Sequence, residues 1–173
     1  MDNHSYTQVI VQQVAKVLKP HGFRRLGNNF LRDNKSVCLI IQIQKSSSSS
    51  SSEIKLTVNL GIFLWSLAHL HWTEVKRPAV EISHWRQRIG HVSHYRTDKW
   101  WTISSDDEAQ HAASEIALVL EREVLPLMES LASEEAIRDL WVNDTCPGLT
   151  NGEKLKYLSE LEKTFKTGSG SPA

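Results

Sequence analysis

Aliphatic residues recur at every second position over two stretches of the chain. Val37, Leu39, Ile41 and Ile43 take the odd positions of the first, and Ile54, Leu56, Val58, Leu60, Ile62 and Leu64 the even positions of the second. A period of two puts alternate side chains on one face of a pleated strand, so each stretch predicts a strand with one face in the core. Seven serines, Ser46 to Ser52, lie between them. A tract without apolar side chains has nothing to bury and predicts a flexible, solvated hairpin loop over 46–52. Setting Ile43 opposite Ile54 puts both aliphatic faces on one side. Cys38 then meets Asn59, and Ile40 meets Thr57, on the other. A slip of one residue would turn an aliphatic face into water, which argues for this parity. A shorter strand is expected over Asn29 to Arg32, with a turn at Asp33-Asn34.

Helical spacing frames these strands. Tyr6, Val9, Ile10, Val14, Val17 and Leu18 form one apolar stripe and predict a helix over Tyr6–Lys19. Ser5 and Gln8 have the spacing of a capping box at its start, and Pro20 and Gly22 stop it. Ala109, Ala113, Ile116, Leu120, Val124, Leu127 and Leu131 predict a second, with Ser105 and Glu108 as capping box and acidic residues at its positive end. Pro126 lies inside that stripe and predicts a kink or restart. Ser133 suits the cap of a helix through Trp141, and Thr150 with Glu153 that of a last one to about Phe165. Cys146-Pro147-Gly148 breaks the chain between them. Residues 65–104 lack clean periodicity; they read as a long connection with short helical pieces, ending in a strand at Trp100–Ile103. Helix, antiparallel strands, then helices predict an α+β fold: a sheet of three to five strands with the N-terminal helix and the C-terminal helices on one face. The expected division is one domain over 1–166, with a helical extension at 133–166 and a disordered tail at 167–173.

Composition adds little until charge is followed along the chain. There are 20 Lys plus Arg and 20 Asp plus Glu among 173 residues. Residues 1–104 hold 14 basic and 6 acidic side chains, and the remainder the reverse balance of 6 and 14. The two halves are expected to attract each other, so function is to be sought on basic surface left uncovered. No apolar run reaches the roughly 20 residues that span a bilayer, and the polar N-terminus lacks a signal core, so a cytoplasmic protein without membrane association is expected. Cys38 and Cys146 match no disulfide framework or metal spacing.

Candidate chemistry concentrates in residues 65–101, which carry five of the six tryptophans, five of the eight histidines and four arginines. His69 with His71, and His91 with His94, have spacings that bring two imidazoles to one face, the weak candidates for a metal site; no cofactor is expected. From Lys76 to Lys99, six basic residues interleave with aromatics, as in phosphate or nucleic-acid surfaces, although overall neutrality and the lack of recognised motifs argue against nucleic acid as partner. Trp and Arg are also the residues most enriched at protein-binding hot spots. Nucleophilic motifs, P-loops and dinucleotide fingerprints are absent, so no catalytic residue is expected.

Several short motifs, taken in order, carry a resemblance. Leu18-Lys19-Pro20-His21-Gly22-Phe23-Arg24-Arg25 is followed by Gly27-Asn28-Asn29-Phe30, Gln44-Lys45-Ser46, Asn59-Leu60-Gly61, Arg88-Ile89-Gly90 and Trp100-Trp101. Over about residues 5–130 this resembles the bacterial domain of unknown function 4304 family. The resemblance implies a fold and a bacterial origin rather than an activity. Gly61 and Gly90 suggest close backbone approach or unusual dihedrals. Gln44, Lys45, Asn59, Arg86, Arg88, Trp100 and Trp101 are the candidate binding residues, several of them converging on the second sheet face. A plainer alternative has Arg88 packed over an indole to hold the long connection. The expectation is a non-enzymatic module that binds a protein partner, for example neutralising a toxin or effector. The alternative is a small-ligand, phosphate or metal-dependent domain using residues 65–101.

Overall fold

The structure, a computed structural model, describes residues 3–50, 52–143 and 148–168. It is α+β. Helix α1 (Asn3–Leu18) leads into an antiparallel sheet of β1 (Arg24–Leu26), β2 (Asn29–Asp33), β3 (Val37–Lys45), β4 (Ile54–Leu64), β5 (Trp85–Arg88) and β6 (Trp101–Ile103). The first five follow one another in space, while β5 and β6 share the same edge of β4, against residues 59–62 and 54–56. A four-residue helix, α2 (Ile89–Val92), follows β5, and α3 (Asp106–Val119), α4 (Leu125–Ser130), α5 (Glu134–Val142) and α6 (Asn151–Gly168) close the chain.

The alternating stretches form β3 and β4, and their aliphatic face is the core. Their register differs from the expected one by four residues: Ile43 faces Val58, Cys38 faces Phe63 and Ile40 faces Gly61. An even shift leaves every side chain on its expected face, so hydrophobicity alone could not choose between the two. The observed register pairs all nine residues of β3 with β4, whereas the expected one would leave Ile62 and Leu64 without partners on β3; buried backbone groups favour the fuller ladder. The serine hairpin is closed by hydrogen bonds of its own. Ser46 N donates to Lys55 O (2.7 Å), Lys55 N to Ser49 Oγ (3.0 Å) and Glu53 N to Ser50 Oγ (3.1 Å).

Strands β1 and β5 have no aliphatic alternation, which is why the pattern did not reveal them. The first is exposed throughout, and the second reads Trp-Arg-Gln-Arg. Helix α1 begins at Asn3, so Ser5 lies inside it and is not its cap; its residues Tyr6, Ile10, Val14 and Leu18 are buried against the sheet and α3. Ser105 caps α3 through the Glu108 N–H, but the Glu108 carboxylate reaches one residue further back, to Ser104 N (2.7 Å). Ahead of Pro126 the helix widens into a π turn at Leu120–Val124 and restarts as α4. Proline has no N–H to give to the carbonyl four residues back and its ring crowds that group, so the wider turn relieves the conflict. Ser133 caps α5, and Thr150 with Glu153 forms a reciprocal box on α6. Cys146, Pro147 and the tail beyond Gly168 lie outside the described residues.

The charge asymmetry does draw the halves together. Arg32 Nη2 donates to Glu129 Oε2 (2.8 Å), His94 Nδ1 lies 2.7 Å from Glu123 Oε1, and Lys99 Nζ lies 3.4 Å from Glu115 Oε1. These pairs are partly solvated, and each contributes about 1 kcal/mol or less. No helix among the described residues is long and apolar enough to cross a membrane.

Candidate binding face

The second sheet face, away from the main core, is divided. At the β2 side Cys38, Ile40, Phe63 and Val80 form a small buried cluster under the connection from Trp65 to Ile82. That connection packs tightly: a Cβ on Gly61 would lie 2.6 Å from Ser83 Oγ and 3.3 Å from Val80 Cα. Gly61 thus sits where the connection comes close, first through the Ser83 side chain and then through the Val80 backbone, at an ordinary φ.

Beyond this cover the face turns polar. Gln42 pairs in register with Asn59, and Asn59 with Arg88. Asn59 Nδ2 donates to both Gln42 Oε1 (2.9 Å) and Gln44 Oε1 (2.7 Å), and Gln42 Nε2 donates onward to Glu81 (3.3 Å). One amide thus orients two others and leaves the Asn59 oxygen and the two N–H donors of Gln44 Nε2 for an incoming group. Next to it Asp98 Oδ2 accepts from Arg88 Nη1 (2.5 Å) and Trp100 Nε1 (3.0 Å). The Arg88 guanidinium lies 5.1 Å from the centre of the half-buried Trp100 ring, and Lys55 Nζ 5.7 Å from it. Cations over an indole are held by its negative π face. A shallow depression of about 290 Å³, bordered by Asn59, Arg86, Arg88 and His91, opens beside them.

Two of the candidate residues lie elsewhere. Lys45 is opposite Leu56 at the exposed end of β3, on the other parity. Trp101 alternates with Trp100 and is 5% exposed in the core. Its Nε1 donates to Glu115 Oε2 (2.8 Å), and Lys99 Nζ lies 5.2 Å from its ring. Burial opposes ionisation of Glu115, but hydrogen bonds from Tyr95 and Trp101, with Lys99 alongside, outweigh it and hold its carboxyl below the usual range. Arg86 is a strut: it donates to Glu81 O (2.6 Å) and to Gly148 O, tying the connection to the segment before α6. Gln42 and Asp98 belong to the face but were not among the candidates. The spacing of Gln42 from Gln44 on one strand face was the available signal; nothing local to Asp98 marked it.

The four candidate metal histidines do not come together. His69 Nδ1 is 2.9 Å from Ser66 O, His94 lies on Glu123, His91 borders the shallow depression, and His71 packs against Phe63. Among the described residues no three His, Cys, Asp or Glu side chains are placed to hold a metal ion. Sequence patterns gave no sign of the role of His84, which is fully buried. Its Nδ1 accepts from Leu64 N (3.0 Å), so the proton of the neutral ring sits on Nε2, which has no hydrogen-bond partner among the described residues. The ring lies between Phe63, His71 and Tyr157.

Cys38 is also buried. Burial, then the nearby Asp33 charge, pushes its thiol up to about 12, although Arg24 opposes the shift. The thiolate is the reactive form, so this thiol is inert. In a Cys146→Ser background, native protein at pH 8 should therefore resist alkylation until denaturant is added. Rapid modification of the folded protein would contradict the burial.

A six-stranded antiparallel sheet with a braced polar patch on its second face defines an α+β domain. The chain belongs to the family described as Domain of unknown function (DUF4304), whose model matches residues 14–130. The match ends with α4, so α5 and α6 follow the family region. Searches of curated proteins and of solved structures find no significant match.

Proposed function

We propose that this protein is a non-enzymatic binding module, and that the polar patch of Gln42, Gln44, Asn59, Arg88 and Trp100 engages a protein partner. The observation that carries this reading is the mutual bracing of those side chains on a face the connection leaves open. Side chains already held in place lose little entropy on association, and Arg and Trp are among the residue types most enriched at hot spots. The shallow relief of the patch suits a protein surface better than a small molecule, which favours enclosure. In a bacterial cytoplasm such a domain could act by recognition alone, for example by masking a toxin or effector.

The test is co-purification from the native host with tagged full-length protein, followed by titration of the recovered partner. Trp100→Ala and Arg88→Ala should each weaken it by about 2 kcal/mol, roughly 30-fold. Trp72→Ala serves as control, because Trp72 is fully exposed on the connection. Loss of binding in the Trp72 variant, with the other two unaffected, would move the interface away from this face.

A further inference from the structure

A second feature lies at the opposite end of the same sheet face. Strands β1 and β2 and the loop at 76–78 enclose a groove of about 370 Å³. Its rim carries Arg24, Arg25, Lys76 and Arg77, and its floor is made by Leu31, Cys38, Trp65 and Pro78. Asp33 is the one carboxylate among the lining residues, and its Oδ1 already accepts from Trp65 Nε1 (2.9 Å) and Lys35 N (3.1 Å). Lys76 has a solvated neighbour in Glu74 at 3.6 Å. Arg24 and Arg77 are exposed, and neither has an ion-pair or hydrogen-bond partner among the described residues. Elsewhere some basic side chains of the same half meet carboxylates of the acidic helices, as Arg32, His94 and Lys99 do.

We propose that this groove binds a small organic phosphate, with the phosphoryl group held by Arg24 and Arg77 at the rim and the organic body against Trp65 and Leu31. Guanidinium groups meet phosphate oxygens with paired hydrogen bonds, which a point charge cannot do. An apolar floor of low dielectric constant strengthens the field of the rim charges and offers an indole for a flat ring. The volume is in the range of small-molecule sites. The buried Cys38 is unreactive, so the groove holds its ligand without attacking it. This site is separate from the polar patch, and either can fail without the other.

Adenosine monophosphate and pyrophosphate are the probes, titrated calorimetrically into the full-length protein at low salt, with adenosine and an oligoglutamate peptide alongside. Both phosphates should bind, adenosine should not, and Arg24→Gln with Arg77→Gln should weaken binding at least roughly tenfold. Both arginines are exposed, so the double variant should keep its melting temperature, which excludes misfolding as the cause. The proposal is overturned by no phosphate binding at roughly 1 mM, by equal binding by the double variant, or by equal binding by adenosine. Tighter binding of oligoglutamate than of either phosphate, lost in the same variant, would also overturn it and make the groove a peptide-docking surface.

Discussion

Replacing Gly90 by alanine should destabilise the protein by about 3 kcal/mol, the largest loss expected from adding a single methyl group. A Cβ at this position would run into the Thr97 carbonyl oxygen and lie 2.6 Å from Lys99 N and 2.8 Å from Lys99 Cβ. The first two are backbone atoms of the segment that returns toward β6, and Thr97 N also bonds Gly90 O (3.2 Å). They cannot rotate away as a side chain would. The helix α2 and the Thr97–Lys99 segment would have to separate, and with them Trp100 and the edge of the polar patch. For a domain of this size, that loss lowers the melting temperature by roughly 6–12 °C. Urea denaturation should show the same ranking: Gly61→Ala costs less, since its nearest obstacle is the movable Ser83 hydroxyl. Gly152→Ala, with nothing within 4 Å in the first turn of α6, should be neutral or slightly stabilising. Equal stability of the Gly90 and Gly152 variants would show that the close approach is not there.

The second large effect is loss of stability on mild acidification, through His84. Burial, then His71 and Arg86 nearby, pushes its imidazole down to about 3. In the unfolded chain it returns to the ordinary value near 6.5. Between those values the unfolded state binds the proton and the folded state does not, so stability falls as pH drops below about 6.5 and the decline ends near pH 3. From pH 7 to pH 5 the loss is about 2 kcal/mol. His71, also pushed down by burial and by Lys156, adds in the same direction. The carboxyls of Glu108, Glu123, Glu129, Glu153 and Glu160 are held low mainly by hydrogen bonds. Their contribution is present above the ordinary carboxylate range and fades only below it, so it stays out of this window. His84→Asn retains an acceptor for the Leu64 N–H without a titrating ring. Urea midpoints measured from pH 7 to pH 5 should fall steeply in the wild type and much less in this variant. Parallel decline in both would mean that His84 is not the group responsible.

How much of this was legible depended on how local the cause was. Strand β4 was read to its ends because eleven residues repeat a single period, and the caps at Ser105, Ser133 and Thr150 were legible because a hydroxyl and an N–H three residues on are close in any helix. Gly61 and Gly90 could be marked as places of close approach, but not what approached them. Trp100 and Trp101 could be placed on opposite faces, but not told apart. That assignment needed Leu56 as the in-register partner of Trp101, and only the sheet supplies that pairing.

The sequence by itself determined the α+β order, the faces of the two long strands, the helix starts at 105, 133 and 150, and the segregation of charge, because each arises from periodicity or contacts within a few residues. Tertiary structure alone decided the four-residue offset between β3 and β4, since every even slip buries the same face. It alone decided that Trp-Arg-Gln-Arg is a strand, since that segment pairs with β4 without a pattern of its own. It also left Arg24 and Arg77 without an ion-pair partner among the described residues, while Arg32 and Lys99 met the acidic helices. Which charges find partners depends on where distant elements come to rest, and no local spacing records that.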